Sequence, residues 1–113
     1  MQIHLDSEIF EQVKSGTKDI EARVNDEKRQ QLKIGDIIEV LRRPDGKEAL
    51  KVRIISLTYF KDFRELTNSY PIERLYSPSF TKEQYLALFP KFYTDEEIAK
   101  YGTVAIGFKK IED

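Results

Sequence analysis

Cysteine is missing from this chain altogether, which removes disulfides, thiolate nucleophiles, thiol redox chemistry and cysteine-ligated zinc together. His4 is the only histidine, so imidazole-clustered metal sites and any chemistry that needs two histidines are excluded as well. There is no excess charge of either sign: 19 Lys and Arg stand against 20 Asp and Glu. Residues 1–56 carry 11 basic and 11 acidic groups, and residues 57–113 carry 8 and 9. A protein that grips many phosphates by charge alone shows a strong positive excess, so any nucleic-acid contact here is expected to be local and confined to a pocket. No run approaches the roughly 18 to 20 apolar residues of a membrane span. The opening MQIHLDSEIF has neither the basic region nor the apolar stretch of a secretion signal, so the expected location is cytoplasmic, without membrane contact. Carboxylates, lysines, arginines and hydroxyls are left to carry any chemistry, with no cofactor and no metal expected.

What is present fits one modest core. The 113 residues are 40% apolar and 35% charged, which suits a single soluble domain over 1–113. QIHL at 2–5 reads as a short strand, and Asp6 or Ser7 can open a helix through IFEQVK, with Ile9 and Val13 on one face. Gly16 is placed to cap that helix in a left-handed conformation. From 19 to 24 (DIEARV) apolar and charged residues alternate as in a strand. A polar segment, NDEKRQQLKIGD, leads to IIEVLRR, then a hairpin turn at Pro44, Asp45 and Gly46, then the long β-branched return ALKVRIISLTY. KDFRELT reads as a short helix with Phe63 and Leu66 inward. Residues 70–80 read as an ordered loop with at most one helical turn. Thr81 with Gln84, and Thr94 with Glu97, have capping-box spacing for two further helices, the first running to about Phe89 and the second ending at Gly102. TVAIGFKK closes the chain as a strand. Five strands in hairpins, without regular crossover helices, predict an α+β, β-rich domain: a small, mostly antiparallel barrel or curved sheet with three or four short flanking helices.

The most unusual local feature is SGTKDIEARVNDEKRQ, which joins a helix cap, a lysine and a strand whose charged face opposes its apolar one. Lys18, Glu21 and Arg23 can meet there. Charged residues on a half-buried strand also commonly face water, and both readings stand on the residues alone.

GTKDIEAR at 16–23, followed by DEKRQQLKIGDIIEV at 26–40 and YGTVAIGF at 101–108, resembles the ASCH domain, a small PUA-like β-barrel related to the coactivator homology region. Gly16, Lys18, Glu21 and Arg23 match its G-x-K-x-x-E-x-R pattern, and the resemblance spans nearly the whole chain. It implies a PUA-like barrel with a cleft beside the lysine-bearing turn, and a partner that is RNA, a nucleotide or a modified nucleoside. Some relatives are similar to amidohydrolases of acylated cytidine that use a lysine, a threonine and a glutamate, and others are described as ribonucleases. The lysine carries over to Lys18. The threonine position, two residues before the motif arginine, is Glu21 here, and Glu83 lies in the part of the chain where the glutamate is expected.

Candidate roles follow. Lys18 and Glu21 are the catalytic candidates: burial and Arg23 favour a neutral Lys18, whereas a paired Glu21 fixes it as an ammonium. Arg23 can read a carboxylate, phosphate or base edge with its planar fork, or form a structural bridge to Glu21. Lys28 and Arg29 are candidates for the rim of the cleft. Tyr59 is the candidate for base stacking among Tyr59, Phe60 and Phe63. Tyr70, Tyr76, Tyr85, Phe92 and Tyr93 either lid the cleft or pack in the core, and Arg42, Arg43 and Lys47 form a small basic patch at the hairpin. The leading expectation is an RNA- or nucleotide-binding domain centred on Lys18, Glu21 and Arg23. The alternatives are a metal-independent hydrolase acting on RNA or on an amide of an acylated cytidine, and a protein-interaction module using the aromatic 70–93 region.

Overall fold

A computed structural model describes residues 1–112. β1 (Gln2–Leu5) runs into α1 (Ser7–Lys14), then β2 (Ile20–Val24), a 3-10 turn (Arg29–Gln31), β3 (Ile37–Arg42) and the long β4 (Ala49–Phe60). α2 (Phe63–Asn68), α3 (Ile72–Leu75), α4 (Lys82–Leu86), a second 3-10 turn (Phe89–Lys91) and α5 (Asp95–Tyr101) follow as a cluster before β5 (Thr103–Lys110). Both capping boxes form, at Thr81 with Gln84 and at Thr94 with Glu97. The helix after Thr81 stops at Leu86, short of Phe89, and Pro90 lies within the 3-10 turn that follows. The one helix expected to reach about Phe89 is thus divided into a short helix and a 3-10 turn, whereas α3 is the single helical turn expected in 70–80 and α5 ends at Gly102 as the spacing predicts.

The strands form one sheet in the order β1-β3-β4-β5-β2. β1 pairs with β3 in parallel, and the remaining pairings are antiparallel. The sheet curls into a half-barrel, in keeping with the expected small, mostly antiparallel barrel or curved sheet; β1 and β2 are its two ends and do not pair. That leaves an open seam with a free strand edge on either side.

The sheet is covered on both faces at its β2–β5 end, whereas one face of β1 and of β4 is largely exposed. On the concave side Ile3, Phe10, Val40, Ile54 and Ile106 pack together with α1. On the convex side Ile20, Ala22 and Val24 of β2 meet Phe63, Leu66, Leu75, Tyr85 and Phe89 from the helix cluster. The apolar face of DIEARV is therefore the outer face, under the helices, and its charged face looks into the half-barrel. Glu21 and Arg23 stand opposite Ile106 and Val104 of β5, and neither face of β2 is left to water.

Two glycines carry the local geometry. Gly16, at φ +86°, reverses the chain after α1. Gly102, at φ +68° and ψ −166°, joins α5 to β5 in a region open essentially to glycine alone. A Cβ there would also lie 2.8 Å from the Phe60 carbonyl oxygen. We expect Gly102→Ala to cost about 2 kcal/mol, read as a lower urea midpoint with unchanged slope. An unshifted midpoint would show that this junction relaxes freely.

Candidate functional site

The turn after α1 is sewn down on both sides. The Lys18 amide donates to the Gln12 carbonyl (2.9 Å) and the Asp19 amide to that of Arg74 (3.1 Å). The Arg74 side chain returns to Asp19, Nε donating at 2.9 Å. This fixes where Lys18 must point: its side chain is 2% exposed. Its ammonium donates to the Leu75 carbonyl at 2.7 Å and to the Ile20 carbonyl, and it lies 3.1 Å from Glu21 Oε1. Three donors meet three acceptors, so the lysine ties α3 to the start of β2.

Glu21 is the centre of the cluster. While Oε1 faces Lys18, Oε2 accepts from Arg23 Nε at 3.0 Å and lies 2.9 Å from Nη2. Among the described residues, Nη1 of Arg23 has no carboxylate partner. Burial pulls Lys18 below the ordinary lysine value, and the Glu21 carboxylate works against that pull. Burial alone would raise Glu21, but Lys18 and Arg23 reverse the effect and hold it below the usual carboxylate range. Burial likewise opposes the Arg23 charge, and Glu21, with the Tyr93 phenol beside it, more than offsets this and raises the guanidinium. The result is a buried cation–anion–cation row carrying one net positive charge.

The row forms the floor of a cleft of about 290 Å³, at the small end of the roughly 300 to 1,000 Å³ usual for ligand pockets. Its near wall comes from the end of β1 and the hairpin: His4, Leu5, Asp6 and Arg43. Its far wall is aromatic, with Tyr76, Tyr85, Phe89, Phe92 and Tyr93. Phe92 is 69% exposed, an unusual position for a large apolar ring. Burial pushes the phenols of Tyr85 and Tyr76 upward, so both stay protonated near neutral pH. None of the lining residues is a serine or threonine. Among the described residues no three His, Asp or Glu side chains gather as metal ligands would.

Of the residues singled out from the sequence, Lys18, Glu21 and Arg23 are brought together in this cleft. Lys28 and Arg29 are not: Lys28 is exposed on the polar segment, and Arg29 turns to Asp26, with Nη1 3.8 Å from Oδ2. Tyr59 is 59% exposed on β4 and does not line the cleft. It does share a cross-strand row with Arg23, since both register opposite Val104, two strand spacings or about 10 Å away. Glu83 pairs with Arg64 at 2.8 Å on the outer surface. Sequence reasoning missed His4 and Asp6, and it left Arg43 on a solvated hairpin tip. The Arg43 amide in fact donates to the Leu5 carbonyl at 2.9 Å, and the parallel β1–β3 pairing carries it to the cleft. No local signal announces a parallel pairing between segments more than thirty residues apart.

A family model described as the ASCH domain matches residues 3–112. The chain belongs to the ASCH domain family. Its curled sheet and short flanking helices are the PUA-like fold expected from the motif. The crystal structure of hypothetical protein PH0355 is similar, with 33% identity, 97% of each chain covered and a TM-score of 0.78. So is the solution NMR structure of protein PF0455 from Pyrococcus furiosus, at 31% identity over 100% of each chain and a TM-score of 0.71. No curated protein matches this ASCH chain. No helix among its described residues is long and apolar enough to cross a membrane.

Proposed function

We propose that the cleft binds one nucleotide, free or as an unpaired unit of single-stranded RNA, with Arg23 and the aromatic wall as the recognition elements. The observation that carries this reading is the join between a buried row of net positive charge and an aromatic wall in a cavity sized for one ring system. A base offers a flat face to Phe92 and Tyr93, and its polar edge or phosphate meets the guanidinium. The near-neutral charge of the whole chain fits a single pocket better than a long phosphate track.

Lys18 and Glu21 serve this site as supports rather than as reacting groups. A neutral Lys18 would keep two N–H donors for three acceptors and leave one buried oxygen without a partner. The Glu21 carboxylate likewise has both oxygens committed to cations. Hydrolysis needs a poised base, and these two contacts work against one here.

Titration of the four nucleoside 5′-monophosphates and a short unstructured RNA, followed by NMR shifts of the cleft residues, tests the proposal. Saturable binding by at least one of them is expected at millimolar concentration or below. Phe92→Ala should weaken it about tenfold, as loss of one stacking face implies, with the melting temperature unchanged because this ring is mostly exposed. Absence of shifts with every probe would remove the reading.

A further inference from the structure

The cleft touches both faces of β2: Glu21 and Arg23 from the concave side, and Leu75, Tyr85 and Phe89 from the convex side. A single cavity can do so only by wrapping the free edge of the strand. The hydrogen-bond phase of β2 shows what that edge presents. The Phe108 amide donates to the Asp19 carbonyl and the Asn25 amide to the Gly102 carbonyl. Within the antiparallel register, Glu21 and Arg23 are therefore the residues that bond to β5, and Ile20, Ala22 and Val24 turn their peptide groups the other way. No backbone or side-chain hydrogen bond to the Ala22 N–H or C=O occurs among the described residues, although Ala22 is only 6% exposed. Buried backbone groups are nearly always paired, so an unpaired donor and acceptor on one residue, at a cleft, call for an external partner.

We propose that the Ala22 peptide groups read the hydrogen-bonding edge of an unpaired nucleobase, its N–H donating to a ring nitrogen or carbonyl and its C=O accepting from the adjacent base N–H. This rests on the nucleotide reading above and adds which protein groups read the base and why it must be unpaired: the edge it offers is the one a duplex consumes. A peptide strand added to β2 is disfavoured by the same geometry. The neighbouring acceptor, the Ile20 carbonyl, is already taken by Lys18, and Val24 does not line the cleft. One isolated donor–acceptor pair suits one planar ring edge, and Phe92 and Tyr93 stand near it to cover the face.

The test compares uridine, cytidine, adenosine and guanosine 5′-monophosphates with their 3-methyl, N4,N4-dimethyl, N6,N6-dimethyl and 1,N2,N2-trimethyl counterparts, which keep the ring but lose the N–H of that edge. At least a tenfold loss on alkylation is expected for whichever parent binds. Equal binding of parent and alkylated forms would overturn the Ala22 assignment and leave the nucleotide reading standing, with stacking alone as its basis. Failure of all four parents to bind would overturn the Ala22 assignment, and failure of the unstructured RNA as well would overturn both. Ala22→Pro provides a second arm: it removes the N–H without breaking a β5 ladder bond, as an edge strand permits. It should weaken the parent at least tenfold while leaving the already weakened alkylated form little changed. Equal losses for the two forms would count against the assignment. Should the proline variant fail to fold in a thermal scan, the alkylation series decides alone.

Discussion

Glu21→Ala is expected to be the most damaging single substitution near the cleft, lowering stability by about 3 to 5 kcal/mol, the usual consequence of removing one partner from a buried ion pair. The physical cause is Lys18. Its ammonium is 2% exposed and, among the described residues, Glu21 is the only carboxylate in ion-pair contact with it, so the variant must either hold a poorly compensated buried charge or release a proton. For a domain of about this size a loss of that order lowers the melting temperature by more than about 10 °C. Adding Lys18→Met should recover a large part of the loss, because the stranded charge is then gone. A melting temperature within about 2 °C of the parent for Glu21→Ala would show that the row is solvated and would remove the electrostatic account of the cleft floor.

The same row sets opposite pH limits in the parent and the variant. Glu21 is held below its ordinary value of 4.5 in the folded protein, so the stability it contributes is complete above that value. It is lost as the pH falls through the folded one, where the unfolded chain already binds the proton. Lys18 is lowered from 10.5; the cost of its buried charge is therefore present below its folded value and is relieved as pH rises toward the unfolded one. In Glu21→Ala that folded value drops further, so the variant should regain stability on going from neutral to alkaline pH while losing the Glu21 part of the acid transition. Melts at several pH values show this as a gap that narrows toward pH 10. A gap independent of pH would mean that packing, not charge, accounts for the defect.

How far the sequence alone anticipates this arrangement depends on which contacts are local. The alternation in DIEARV, the Gly16 cap and the two capping boxes are decided within a few residues by backbone preference, and they form at those positions. The meeting of Lys18, Glu21 and Arg23 was legible for the same reason, since six residues of chain hold all three. Which way that cluster faces was not legible, because strand alternation separates two faces without saying which one is covered by α1 and which by the helix cluster. The cleft itself is a still longer-range property. It exists because β1 pairs with β3 instead of closing on β2, and this unclosed seam, which no pattern within either strand records, brings His4, Asp6 and Arg43 to face Phe92 and Tyr93.

Arg23 is where the electrostatic floor and the ligand are proposed to meet, and its replacement should separate binding from folding most cleanly. Its side chain is 23% exposed, so truncation to alanine leaves no buried orphan, and Glu21 retains Lys18 as counter-charge. We expect Arg23→Ala to bind the best nucleoside monophosphate about a hundredfold more weakly, the scale of losing a charge-assisted pair of hydrogen bonds at roughly 1.5 to 3 kcal/mol. The melting temperature should move far less than in Glu21→Ala. Arg23→Lys distinguishes geometry from charge: an ammonium supplies the positive charge but cannot bridge Glu21 through two nitrogens and still present a third to the cleft. If the fork is what recognises the ligand, Arg23→Lys behaves nearly as Arg23→Ala does. If affinity instead survives in the lysine variant, with a steep salt dependence, the site reads phosphate charge and nothing finer, and the planar recognition assigned to this residue is wrong.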